Sequence, residues 1–256
     1  MARRDDNLQA RLERDLAELK LPEIARAYRE VLDEAARKGS SMLEVLTTLF
    51  GLEQAARQQR ALQRRLREAR LPKLKTLADY DFSFPKKIPK AAILRLFDCD
   101  FIGRHGCAVL IGPTGTGKSH LLTALGYTAA ERGFSVRHTR VVDMINHLTT
   151  AQINGLLGKA LRTYTRPSLL LLDELGYLPI DKRGADLLFQ VVAARYESGS
   201  IVLSTNRTFR EWGALFDVDN TLATALIDRL MHHGEALVIH GGSYRMKDKG
   251  DDPPSA

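Results

Sequence analysis

The chain has 256 residues, of which 44% are hydrophobic and 27% charged, with a formal net charge of +7. That length accommodates one large domain, or a medium domain with a smaller appendage, and the composition excludes extended disorder and collagen-like or low-complexity architectures. No apolar run approaches the roughly 20 residues of a membrane-spanning helix. The opening Met-Ala-Arg-Arg-Asp-Asp is charged and has no secretory pattern. Two cysteines, Cys99 and Cys107, make neither a disulfide framework nor a complete zinc site. A cytoplasmic protein with no membrane partner is expected.

Residues 1–76 read as a helical N-terminal domain. Leu8, Leu12, Leu16 and Leu19 recur at helical spacing, and Pro22 suits the first turn of a second helix. Gly39-Ser40-Ser41 ends that helix, and Ser41 followed by Glu44 resembles a capping box for a third. In the third, Ala55, Leu62, Leu66 and Ala69 share one face, with Arg57, Arg60, Arg64 and Arg67 roughly opposite. Residues 57–75 also carry Arg65, Arg70, Lys73 and Lys75 against the single acid Glu68, so the whole net charge of the chain resides in this stretch. A basic excess this localised is either a solvated helix face or a surface for a polyanion, and the near absence of acids favours nucleic acid.

Residues 77–90 carry two prolines and the aromatics Phe82 and Phe84, the texture of an extended linker whose rings dock on the next domain. Residues 91–247 alternate apolar strands with helical patterns. Strands are predicted over 107–111, 135–140, 169–172 and 201–204, and helices over 118–132 and 184–197. Fully apolar strands separated by helices predict an α/β fold with a parallel sheet buried on both faces. Residues 248–256 read as a disordered tail.

The segment Gly112-Pro113-Thr114-Gly115-Thr116-Gly117-Lys118-Ser119 satisfies the phosphate-loop pattern, with the required strand before it and helix after it. Glycines let the backbone wrap around phosphate and point N–H groups inward, and the helix start adds its partial positive charge. Lys118 suits the β- and γ-phosphates of ATP, and the Ser119 hydroxyl suits Mg²⁺. The apolar run that ends in Asp173-Glu174 sets a carboxylate at the sheet's carboxyl edge, where Asp173 can hold Mg²⁺ through water. Glu174 can orient and deprotonate an attacking water, which favours hydrolysis over transfer to a small acceptor, although a surface ion pair is the plainer alternative. Asn206 could bond the γ-phosphate or the lytic water, or simply cap a turn. Arg229 and Arg245 are candidate cations for transition-state charge. His232-His233 is not expected to bind metal, because neighbouring side chains on a helix diverge and no other ligand cluster is near.

These motifs, with Ser204-Thr205-Asn206, Asp228-Arg229-Leu230 and Gly242-Ser243-Tyr244-Arg245, occur in the order and spacing of AAA+ ATPases. The chain most resembles the IstB family of insertion-sequence ATP-binding helper proteins, with DnaC-type helicase loaders as near relatives. Leu71-Pro72, Lys75-Thr76-Leu77, Phe82-Ser83-Phe84 and Glu211-Trp212-Gly213 extend the likeness over residues 8–247. The resemblance implies an AAA+ P-loop domain over 91–247 and a homo-oligomer with ATP at its subunit interfaces. It gives Asn206 the sensor-1 position, Arg229 that of an arginine finger acting on a neighbour's ATP, and Arg245 that of sensor 2. It further implies cooperative binding to double-stranded DNA and assistance to a transposase encoded by the same element. Further DNA contacts are implied in 141–166, which contains Lys159 and Arg162. A loader that sets a replicative helicase on single-stranded DNA is the alternative. A nucleotide-gated clamp without turnover and a small-molecule kinase are further readings, the last disfavoured by Glu174 and the basic stretch.

Overall fold

The computed structural model describes residues 2–216 and 220–244. They divide into two compact units, one up to Arg64 and one from Arg65 onward.

The first unit consists of α1 (Ala2–Glu18), α2 (Pro22–Lys38) and the first part of α3 (Met42–Ala69), within which the division falls. Pro22 opens α2, and Gly39 in the left-handed region closes it with its N–H on Ala35 O. The expected capping box is present, Glu44 N–H donating to Ser41 Oγ and Ser41 N–H to the Glu44 carboxylate at 2.7 Å. The core of this unit is small: Leu16, Ile24, Tyr28, Val45 and Leu49. Of the four leucines spaced along the first helix only Leu16 is buried; Leu8, Leu12 and Leu19 remain exposed. Three helices with so little apolar surface between them cannot cover more.

The second unit continues through α4 (Lys90–Phe97), α5 (Asp100–Gly103), β1 (Cys107–Ile111), α6 (Lys118–Glu131), β2 (Val136–Arg140), α7 (Val141–Ile153), α8 (Leu157–Thr165), β3 (Leu169–Leu175), α9 (Lys182–Arg195), β4 (Ser200–Thr205), α10 (Trp212–Leu215), α11 (Asn220–Met231) and β5 (Gly234–Val238). The five strands are all parallel, in the order β2-β3-β4-β1-β5. The strands predicted from continuous apolar runs form the inner sheet, and 169–172 is wholly buried as that pattern requires. Strand β5 was not predicted. It is an edge strand with one buried residue, so it lacks the apolar run that marked the others. The first strand's partners on both sides leave its carboxyl end, and the loop that follows, at the middle of the sheet edge.

Arg195 is almost fully buried without a carboxylate. Its guanidinium donates to the carbonyls of Tyr164, Thr165, Pro167, Ser168 and Ser200, fastening the exit of α8 to the entry of β4. Burial brings its pKa down to about 10, so it stays charged at neutral pH. The expected tail over 248–256 lies outside the described residues. Among those described, no helix is long and apolar enough to cross a membrane.

Candidate active site

Residues 112–117 turn from β1 into α6 and bring the predicted loop residues together. Gly115 and Gly117 adopt φ values of +85° and +88°, where a side chain is strained. A Cβ at Gly115 would run into Ser243, and one at Gly117 into the Tyr80 ring. Thr116 Oγ1 donates to Pro113 O at 2.9 Å, and Lys118 Nζ donates to Gly112 O at 2.6 Å and Pro113 O at 2.8 Å. The lysine is 4% exposed, so its charge is confined to the concave side of the loop.

Ser119, at the start of α6, donates its hydroxyl to Asp173 Oδ1 at 3.0 Å. The Ser204 hydroxyl of β4 donates to the same oxygen, and the His138 imidazole of β2 stands 3.9 Å from the other. Three strands and one helix therefore converge on one carboxylate. Burial alone would raise its pKa, but His138, Ser204 and Ser119 outweigh that and hold Asp173 below the ordinary carboxylate range. Glu174 follows at φ +64°, a left-handed conformation uncommon for a residue with a side chain, and its N–H donates to Ser204 Oγ at 3.0 Å. The β3–β4 register shifts between Leu172 and Leu175. Such an irregularity re-aims side chains at a strand end, and here it turns Glu174 into the cavity that the loop lines.

The segment before α4 supplies the other wall. Asp79 accepts from the Thr76 N–H at 3.0 Å and hydroxyl at 2.7 Å, closing a turn, and His120 Nε2 lies 2.9 Å from Thr76 O. Tyr80 lies against Gly117 and donates its hydroxyl to Thr116 O at 3.0 Å. Burial, with Asp81 nearby, pushes that phenol up to about 12, so it remains a donor. Phe82 packs edge-on against Tyr80, and Phe84 against Tyr244. The docking expected of the linker aromatics is thus present, but its anchor is Tyr80. Tyr80, Phe84, Tyr177 and Tyr244 all line the cavity.

Asn206 follows β4 with its Oδ1 buried and without a hydrogen-bond partner, and it does not line that cavity. Arg229, on α11, donates to Ala225 O at 3.2 Å and lies over the Phe189 ring at 4.6 Å. It lines a different depression, with Cys107 and His233, at the amino ends of β1 and β5. Arg245 lies outside the described residues. Its neighbour Tyr244 donates its N–H to Gly115 O at 3.0 Å, so the chain runs over the loop immediately before it.

Residues 14–251 match the family described as IstB-like ATP binding protein. This chain belongs to that family. It is 38% identical to the protein named as the insertion sequence IS21 ATP-binding protein of Pseudomonas aeruginosa, over 91% of this chain and 88% of that one. It is 36% identical to the insertion sequence IS5376 counterpart of Geobacillus stearothermophilus, over 90% and 92%. Among solved structures, the DnaC helicase loader superposes with a TM-score of 0.53 at 22% identity, covering 64% of this chain and 96% of that chain. The fold of this IstB-like protein is accordingly the AAA+ P-loop α/β fold with helices preceding it, as the resemblance implied.

The basic residues singled out for DNA do not share one environment. Arg57 and Arg60 both pair with Glu53, at 3.1 and 3.2 Å; Arg60 also reaches Glu23, and Arg57 donates to Lys20 O. Counting only Glu68 against them therefore overstated the free charge, because the fold supplies two further acids from outside the stretch. Arg65 donates to Ala130 O at 2.8 Å, and Lys75 lines the loop cavity. Arg64, Arg67, Arg70, Lys73, Lys159 and Arg162 are exposed. His138, Ser204, Tyr80 and Tyr177 were missed as site residues. Tyr80 had a signal as a third aromatic beside Phe82 and Phe84, and Ser204 stood in the quoted Ser204-Thr205-Asn206 motif without a role of its own.

Proposed function

We propose that this IstB-like protein is an Mg²⁺-dependent ATPase that assembles on duplex DNA as a homo-oligomer and assists the transposase encoded by its own element. The observation that supports the reading most is the Ser119–Asp173 contact at 3.0 Å. It joins the phosphate loop to the end of β3 through two hard oxygen donors, the set that suits Mg²⁺ beside nucleotide phosphates. When bound, the ion would neutralise charge that develops on the β- and γ-phosphate oxygens.

Within this reading the N–H groups of the loop and the Lys118 ammonium hold the phosphates. Glu174, which lines the cavity, takes a proton from the attacking water. Asn206 orients that water through its buried, unpartnered Oδ1, or bonds the γ-phosphate through its side-chain N–H. Arg229 lies at the amino edge of the sheet, away from its own chain's loop, so its role as a finger is exerted on a neighbouring subunit, with ATP shared at the interface. Arg245 completes the charge around the phosphates. The organisation is a helical domain over 1–76, a linker over 77–90 and an ATPase domain over 91–247. DNA is held through phosphates by Arg64, Arg67, Arg70, Lys73, Lys159 and Arg162; Arg57, Arg60 and Arg65, already engaged, contribute less, as does Lys75, which lines the loop cavity.

Mixing two inactive variants tests the shared site. An Arg229→Ala chain lacks the finger but keeps the pocket, and a Lys118→Ala chain lacks the pocket but keeps the finger. Their mixture should recover part of the duplex-stimulated ATPase activity. No recovery at any ratio, with mixed assembly verified, rules out a finger in trans. A preference for single strands with no ATP-dependent assembly on duplex would instead support a helicase loader.

A further inference from the structure

His232 and His233 follow the last residue of α11, in the turn that leads to β5. The expectation that adjacent histidines diverge holds inside a helix, and these two lie beyond its end. Their ring centroids are 4.3 Å apart. Glu197, in the turn after α9 and itself at φ +55°, places a carboxylate oxygen 3.7 Å from His233 Nε2. One ligand atom from each of Glu197, His232 and His233 lies within 4.8 Å of the others, and this is the one such group of three or more metal-ligating side chains among the described residues.

We propose that Glu197, His232 and His233 form a binding site for a divalent transition-metal ion, zinc by its donor set. Two imidazole nitrogens and one carboxylate oxygen, with water in the fourth position, are an established zinc set. Zinc bonds of about 2.0–2.2 Å put tetrahedral donors about 3.4 Å apart, so the exposed side chains need to close by little more than an ångström. The surroundings already favour one binding mode. Tyr196 Oη lies 2.5 Å from His232 Nδ1, and the two rings stack. When His232 Nδ1–H donates to the phenol oxygen, Nε2 is left as the metal-binding lone pair, as the outer-shell partner of a ligating histidine does. The backbone is fixed as well: His232 N–H donates to Asp228 O at 2.9 Å, and Cys107 N–H to His233 O at 3.1 Å.

Glu197 gives the site its one anionic ligand; Asp228 nearby acts with the same sign, and Arg229 and Arg195 oppose it. Cys107 lines the same depression but is not one of the converging ligands, and burial pushes its thiol up and away from the thiolate a metal needs. A bound ion would brace the turn after α9 against the turn after α11, the helix that carries Arg229.

The test uses the full chain, freed of any affinity tag and of nucleotide, titrated with Zn²⁺ against a chromophoric chelator. One Zn²⁺ per chain is expected. His232→Ala with His233→Ala should abolish it, Glu197→Gln should weaken it at least tenfold, and Tyr196→Phe should weaken it about 10- to 100-fold. Co²⁺ should give the visible absorption of a four-coordinate ion, lost in the double histidine variant. All four residues are solvent-exposed, so circular dichroism should show native folding throughout. Absence of stoichiometric Zn²⁺ in the parent, or binding that persists in the double variant because it resides at Ser119 and Asp173, overturns the proposal.

Discussion

The carboxyl edge of the sheet and the basic stretch of α3 were both singled out in the sequence as functional candidates, yet they are built in opposite ways. At the sheet edge the backbone does the positioning. Asp173 is placed by the end of β3, Ser119 by the first turn of α6 and Ser204 by β4, and the three meet within hydrogen-bond distance. In α3 the helix fixes only where each arginine starts, and the long side chain then settles on whatever acid the fold brings near. Arg57 and Arg60 settle on Glu53, whose side chain is 3% exposed. Arg64 and Arg67 meet no such acid and stay in solvent. A motif in the loop therefore specifies atoms in space, whereas a run of charge specifies only a sum that folding can redistribute.

The largest effect should come from the residue whose charge the loop confines. Lys118→Ala should remove ATP binding and turnover together, by 10²-fold or more, measured by nucleotide titration and phosphate release. Substantial binding with only turnover lost would mean that the loop N–H groups suffice and that the sheet edge is less dependent on one cation than its geometry suggests. Glu174→Gln should cost roughly 10²–10⁴ in turnover while binding persists, the range for a general base. Near-parental hydrolysis by that variant would reduce the left-handed turn at Glu174 to a structural feature.

A smaller effect is expected at the aromatic wall. Tyr80→Phe keeps the ring on Gly117 but loses the hydroxyl bond to Thr116 O, a change of about 0.5–1.5 kcal/mol. Tyr80→Ala also removes the surface beside the loop and should raise the KM for ATP more than it lowers kcat. Because the phenol is pushed up to about 12, neither parameter should titrate through Tyr80 near neutral pH. Equal losses in kcat and kcat/KM would place Tyr80 in transition-state chemistry instead of in the wall.

What the sequence revealed follows the same division. The strands 107–111 and 169–172 were visible because a strand buried on both faces must be apolar throughout, and the loop because its glycines answer a backbone requirement. Strand β5 was hidden because an edge strand need not be apolar. His138 was hidden because it acts across strands distant in sequence, and Ser204, though part of a quoted motif, showed nothing local to say that it reaches the Asp173 carboxylate. Glu53 and Glu23 were overlooked as partners of Arg57 and Arg60 for a related reason. One lies just upstream of the stretch that was counted and the other on a different helix, and only the helix packing shows that they meet.

The smallest expected effect divides the arginines of α3 by what they touch. Replacing Arg57 and Arg60 with Gln leaves Glu53 buried without its cations. Burial by itself raises the pKa of Glu53, but the Glu23 N–H and Arg57 outweigh it and hold the carboxyl below its ordinary 4.5. Its contribution to stability is therefore present above pH 4.5 and lost as pH falls below it. The double variant should lower Tm at neutral pH and shift the onset of acid unfolding upward, while the salt dependence of duplex binding stays close to parental. Replacing Arg64 and Arg67 with Gln should do the reverse. Tm should hold, and the slope of log affinity against log salt should flatten by about 0.9 for each phosphate contact removed. The loss should be uniform across DNA sequences, because phosphate contacts carry no base information. If both pairs flatten the slope equally, the carboxylates do not withhold Arg57 and Arg60 from DNA. If neither does, duplex contact must be sought at Arg70, Lys73, Lys159 and Arg162.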